Sequence, residues 1–238
     1  MDNHTPTPDT PPVGPQPAPG KKENGQPSIG VILGWLVLAL LIIGVAGAAW
    51  FQQLRKQRVG PPPPVYEQVS APTFTDQDGK PFEIASLDGR IWVVDFIFTR
   101  CGAQCPVMTT RKAQLQTWLT EKEMGNVQLV TITVDPEFDT PEVLKRYAER
   151  FKAEAGRWHF LTGDRATIYN FILEDFHLET AENEGLDVAD MFVHSDKFVL
   201  VDRNRNIRGY YSAMEVREMD ELREAITSIS HHEMPVSQ

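Results

Sequence analysis

An α/β domain, with a central mixed sheet flanked by helices and preceded by a single transmembrane helix, is the fold class this sequence predicts. Three observations carry the prediction. Two apolar, β-branched runs, IWVVDFIF (91–98) and VQLVTITV (127–134), read as strands buried on both faces. The stretches that separate and follow such runs show helical periodicity and helix-start residues, as βαβ units require. Residues 29–51, IGVILGWLVLALLIIGVAGAAWF, contain no charge at all.

Taken in order, residues 1–28 hold eight of the chain's 18 prolines and almost no large apolar side chains. They cannot bury enough surface to offset their ordering entropy and read as a disordered head. The apolar run 29–51 would rise roughly 34 Å as a helix, enough to cross the hydrocarbon core. A cleaved signal peptide is the alternative, with AGA at 46–48 as a cleavage site. Signal-peptide apolar regions are shorter, about 7–15 residues, and follow a compact basic start, so the run reads as an uncleaved anchor. Asp2, Asp9 and Glu23, with no arginine before Arg55, argue against a mitochondrial address. Lys21 and Lys22 precede the span while Arg55, Lys56 and Arg58 follow it, a one-charge lean toward a cytoplasmic domain. Residues 52–65, including Pro61–Pro64, read as a semi-rigid polyproline spacer.

Residues 66–230 are long enough for one domain with a full core, and 231–238 read as a flexible tail. After the strand at 91–98, a helix is expected from Pro106, with Met108, Leu115, Trp118 and Leu119 on one face. The strand 127–134 leads to DTPEVLKRYAERF (139–151), where Thr140 can cap, Pro141 opens the helix and Leu144, Tyr147, Ala148 and Phe151 form the apolar stripe. A short strand near 158–161, a helix near 165–175 and a strand at 197–202 follow. Residues 204–206 form a turn before IRGYY, adding an antiparallel edge to a parallel core. A last helix, 215–229, places Met219, Leu222, Ile226 and Ile229 on one side. The net charge of −10 and the lack of any basic run longer than two residues exclude nucleic-acid binding.

Both cysteines lie in TRCGAQCPVM (99–108), four positions apart. Cys101 sits in the loop leaving a buried strand and Cys105 just before a helix start. Helix-end amides, the helix dipole and the neighbouring Arg100 are all expected to lower both thiol pKa values and leave both sulfurs partly exposed. The pair reads either as a redox dithiol or as part of a metal site. Two thiolates under-fill zinc, whereas two thiolates and one imidazole suit copper. Among the six histidines, His4 lies in the head, His159 and His177 read as packing or surface residues, and His231 and His232 fall in the tail. His194, in MFVHSDKFVLVD, precedes a central strand. It can approach the cysteine loop only if that strand runs opposite to IWVVDFIF.

DFIFTRCGAQCP, VTITVDPEFDTPEVLKRYAERF and MFVHSDKFVLVD are similar, in order and spacing, to the signatures of the Sco/SenC family of copper-binding thioredoxin-like proteins, across roughly residues 70–212. The resemblance implies a thioredoxin-like fold and copper ligation by Cys101, Cys105 and His194, with the cysteines also a redox-active pair. It implies a metallochaperone that assists assembly of the dinuclear copper centre of cytochrome c oxidase subunit II. Other copper chaperones or thiol reductants would be further partners. It also implies a single-pass protein of the bacterial inner membrane with its domain in the periplasm, against the charge-count lean. Many members have an aspartate inside the cysteine interval, where this chain has GAQ; Asp135 is matched and could cap its loop. The alternative is a copper-independent thiol–disulfide oxidoreductase. Thioredoxin-type reductases carry a proline before the strand facing the dithiol, and VADMFVHSDKF has none. A copper or redox sensor would use the same ion site.

Overall fold

The computed structural model describes residues 29–56, 59–178 and 195–232, and of residues 51–56 the backbone alone. The described chain divides near residue 57 into two units. The first contains helix α1, Ile29–Lys56, whose residues 29–50 have a mean hydropathy of 2.8 and exposed apolar side chains. It is long and apolar enough to cross a membrane.

The second unit is built on seven strands: β1 (Thr73–Asp76), β2 (Pro81–Glu83), β3 (Ile91–Ile97), β4 (Val127–Thr133), β5 (Trp158–Thr162), β6 (Lys197–Val201) and β7 (Ile207–Ser212). Their order in the sheet is β2-β1-β5-β4-β3-β6-β7. The core β5-β4-β3 is parallel, and β1 and β6 flank it antiparallel. The β1–β2 hairpin has no counterpart in the sequence reading, because four- and three-residue strands carry too little alternation to stand out.

Every residue of β3 and β4 is buried, as the continuous apolar runs require. One face is covered by α2 (Gln104–Glu121), α3 (Pro141–Arg150) and α5 (Val216–His232), which bring Met108, Leu115, Leu119, Leu144, Tyr147, Met219, Leu222 and Ile226 onto Val93, Leu129 and Leu200. The other face packs Trp92, Val94, Phe96 and Val130 against Ile84, Leu87, Ile168, Phe171 and Phe176. The last three belong to α4 (Arg165–Asn170), to a π-helical turn continuing it over Phe171–Asp175, and to the residue after that turn.

Two local expectations change. Helix α2 begins at Gln104, two residues before Pro106, so Cys105 lies inside its first turn. Thr140 occupies the cap position of α3, but its hydroxyl donates to Glu142 Oε2 at 2.9 Å and makes no capping bond. Residues 60–64 of the semi-rigid spacer also bond to the domain. Arg208 donates to the carbonyls of Pro63 (2.6 Å from Nη2) and Pro64 (3.2 Å from Nε), and the Ser228 hydroxyl donates to Gly60 O at 2.7 Å. Arg208 is itself buried against Asp202 Oδ2 at 3.0 Å. Residues 66–69 then run beside Arg205–Ile207, with Tyr66 N–H bonded to Ile207 O and Ile207 N–H to Glu67 O.

Candidate metal and thiol site

Strand β3 is the rod on which the site is mounted. Past its end, Cys101 N–H donates to Phe98 O at 3.2 Å, closing a turn, and α2 starts three residues later. Cys105 is 7% exposed and joins the core, while Cys101 is half-buried; both are free thiols. The backbone N–H of Cys105 points at Cys101 Sγ, 3.5 Å away.

This geometry divides the two sulfurs. Burial pushes the Cys101 thiol up, but the amides of Cys105, Ala103 and Gln104 and the Cys105 thiol together outweigh it, and its pKa falls below the usual value. Burial drives Cys105 the other way, to about 12, helped by Cys101 and by Asp95. The expectation that both thiols are activated and exposed therefore holds for Cys101 and fails for Cys105, which the first turn of α2 turns into the core.

Arg100 does not act as expected either. Its Nε and Nη2 lie 3.1 and 2.5 Å from Asp135 Oδ2, and its guanidinium carbon sits 4.4 Å over the Phe138 ring. The cation is engaged by the loop after β4, and the amides at the start of α2 stabilise Cys101 in its place. Asp135 thus grips Arg100, and its backbone N–H donates to the Thr133 hydroxyl at 3.0 Å.

The strand-direction condition on His194 is met. Strands β3 and β6 pair antiparallel, with Val94 opposite Val199 and Trp92 opposite Val201, so β6 begins at the end of the sheet where β3 gives way to the cysteine loop. The described chain resumes at Ser195, two residues before β6, and His194 lies outside the described residues. Among the described residues, no three His, Cys, Asp or Glu side chains are grouped to hold a metal. His159 contacts Gln128 Oε1 at 3.2 Å, His177 contacts Glu67 Oε2 at 2.7 Å, and His232 Nδ1 lies 2.9 Å from Ser228 O. These three are occupied away from the cysteines.

Residues 66–231 match the family model described as SCO1/SenC. The chain belongs to the SCO1/SenC family. A SCO1 protein homologue of Bacillus subtilis is 34% identical over 168 residues, covering 70% of this chain and 85% of its own. The solved structure of BsSco, a Sco-family cytochrome c oxidase assembly protein with a disulfide switch, is 34% identical with a TM-score of 0.60, over 71% of this chain and 96% of that one. Copper-bound ScoI of Bradyrhizobium japonicum shares the fold at 24% identity and a TM-score of 0.52, over 70% and 99% of the two chains. The mixed sheet with helices on both faces is the thioredoxin-like arrangement of these SCO1/SenC structures.

Two features of this SCO1/SenC chain escaped the sequence reading. Asp139, fully buried, accepts from the backbone N–H of Thr99, just upstream of the cysteines, and from the hydroxyl of Thr133 at the end of β4. Asp95 of β3 and Lys112 of α2 form an ion pair at 2.6 Å, 1% and 0% exposed. Lys112 also donates to Val130 O, and Asp95 Oδ1 accepts from the Thr131 hydroxyl at 2.7 Å. A signal was present: Lys112 falls on the Met108–Leu115–Leu119 stripe, and Asp95 is the one charge in an apolar strand.

Proposed function

We propose that this chain is a membrane-anchored copper metallochaperone that takes copper as cargo on Cys101, Cys105 and His194. It would assist assembly of the dinuclear copper centre of cytochrome c oxidase subunit II. The observation that carries the reading is that the cysteine loop after β3 and the start of β6 lie at the same end of the sheet. Two sulfur donors, one already biased toward thiolate, suit a soft metal ion, and an imidazole completes a three-donor set. Family membership supports the cargo, since ScoI was solved with copper bound. Helix α1 would anchor the chain in the bacterial inner membrane, with the second unit in the periplasm, where the oxidase copper site is assembled.

The test is copper titration of the full chain in detergent under reducing conditions. One equivalent should bind tightly. Cys101→Ser or Cys105→Ser should abolish binding, and His194→Ala should weaken it severely. Unchanged affinity and spectrum in His194→Ala would sink the ligand set.

The unequal thiols favour a second activity on the same residues. Cys101 thiolate attacks one sulfur of a partner disulfide, forming a mixed disulfide and releasing one partner thiolate. Cys105 then gives up its proton and attacks Cys101 Sγ. This leaves a Cys101–Cys105 disulfide and a second partner thiolate, with two electrons passed to the partner. Metal-free turnover on a disulfide substrate that is insensitive to His194→Ala would make reduction the primary role.

A further inference from the structure

Cys105 is fixed by helix and core, whereas Cys101 stands in an irregular loop and takes its place from whatever fixes residues 99 and 100. Both of those residues are held by aspartates of the loop after β4. Asp139 Oδ2 accepts from the Thr99 backbone N–H at 3.0 Å and from the Thr133 hydroxyl at 2.5 Å, and Oδ1 accepts from the Thr99 hydroxyl. Asp139 N–H in turn donates to Asp135 O at 2.9 Å, and Asp135 holds Arg100. One carboxylate therefore joins the ends of two parallel strands and the start of α3 to the approach to Cys101.

Asp139 is 0% exposed and, among the described residues, forms no ion pair. A buried carboxylate satisfied only by neutral donors is a costly way to end a strand. Its use directly before the cysteine loop points to a demand for fixed geometry there.

We propose that Asp139, acting through Thr99, is a positioning residue that sets where Cys101 Sγ stands relative to Cys105, and so tunes the pair as a disulfide couple and as copper donors. The copper part rests on the function proposed above; the disulfide part does not.

The experiment compares Thr99→Val, Thr99→Ser and Asp139→Asn with wild type in the full chain in detergent. Thr99→Val deletes the one hydroxyl bond and leaves the backbone bond, so its thermal midpoint should stay close to wild type. Two readouts are taken. The first is the metal-free equilibrium constant of the Cys101–Cys105 couple against glutathione, and the second is copper affinity with the copper–thiolate absorption spectrum. Thr99→Val and Asp139→Asn should change the glutathione equilibrium by about tenfold or more. They should weaken copper by roughly 10–100-fold with an altered spectrum. Thr99→Ser should restore wild-type values. Wild-type values for Thr99→Val in both readouts would overturn the proposal. If wild type binds no copper, the cargo reading falls, and the glutathione equilibrium alone decides the positioning role. If Asp139→Asn fails to fold, the Thr99 pair decides it.

Discussion

Cys101 and Cys105 differ in what surrounds their sulfurs, and the difference sets the order in which they react. Three amides and partial exposure favour thiolate at Cys101, while burial holds Cys105 as thiol up to about pH 12. At neutral pH, iodoacetamide should therefore modify Cys101 first, with Cys105 labelled only after unfolding. Peptide mass spectrometry of briefly treated protein checks this, and equal labelling would contradict the assigned environments. The spacing of the cysteines and the condition that the strand after His194 run opposite to β3 were legible in the sequence, because motif and strand direction are local or topological properties. The role of Arg100 was not. A cation beside a cysteine looks like a partner for it until the fold supplies a closer carboxylate, Asp135, and an aromatic face, Phe138.

At the scale of elements, the Asp95–Lys112 pair pins α2 to the middle of β3. Burial lowers the Lys112 pKa from the usual 10.5 to about 8, a shift that Asp95 only partly opposes. The unfolded chain thus binds this proton more tightly than the folded one. The resulting penalty, on the order of 3 kcal/mol, is fully present below about pH 8 and fades as pH rises toward 10.5. Lys112→Met leaves the Asp95 carboxylate unpaired and should cost about 3–5 kcal/mol at pH 7. The double variant Asp95→Leu/Lys112→Met should lose clearly less than either single change, as read from urea unfolding. The strands and long helices followed from periodicity, because the burial of β3 and β4 and the stripe of α5 are written residue by residue. A lysine on the apolar stripe reads as a solvated charge unless the strand opposite is known to offer an acid. That pairing is tertiary, and the sequence pattern of α2 alone does not contain it.

For the molecule as a whole, residues 60–64 of the linker belong to the fold of the second unit. Removing residues 59–65 takes away the Pro63 and Pro64 carbonyls that Arg208 satisfies and the Gly60 carbonyl bonded to Ser228. A chain starting at residue 66 should be less stable than one starting at residue 59 by about 1–3 kcal/mol, measured by denaturant unfolding of the two fragments. Proline runs announce extended backbone in the sequence but do not say what the backbone rests on, so this docking had to be seen. The sequence also placed a membrane-length apolar run, and α1 has that length.

The same docking has a consequence for how other proteins meet the sheet. Strand β7 is its outermost strand on one side, and residues 66–69 already bond the backbone where β7 begins. On the other side the outermost strand, β2, is three residues long and opens with Pro81, which has no N–H to offer. Among the described residues, the start of β7 and the short, proline-led β2 therefore offer little template for strand addition by a client or by a second copy.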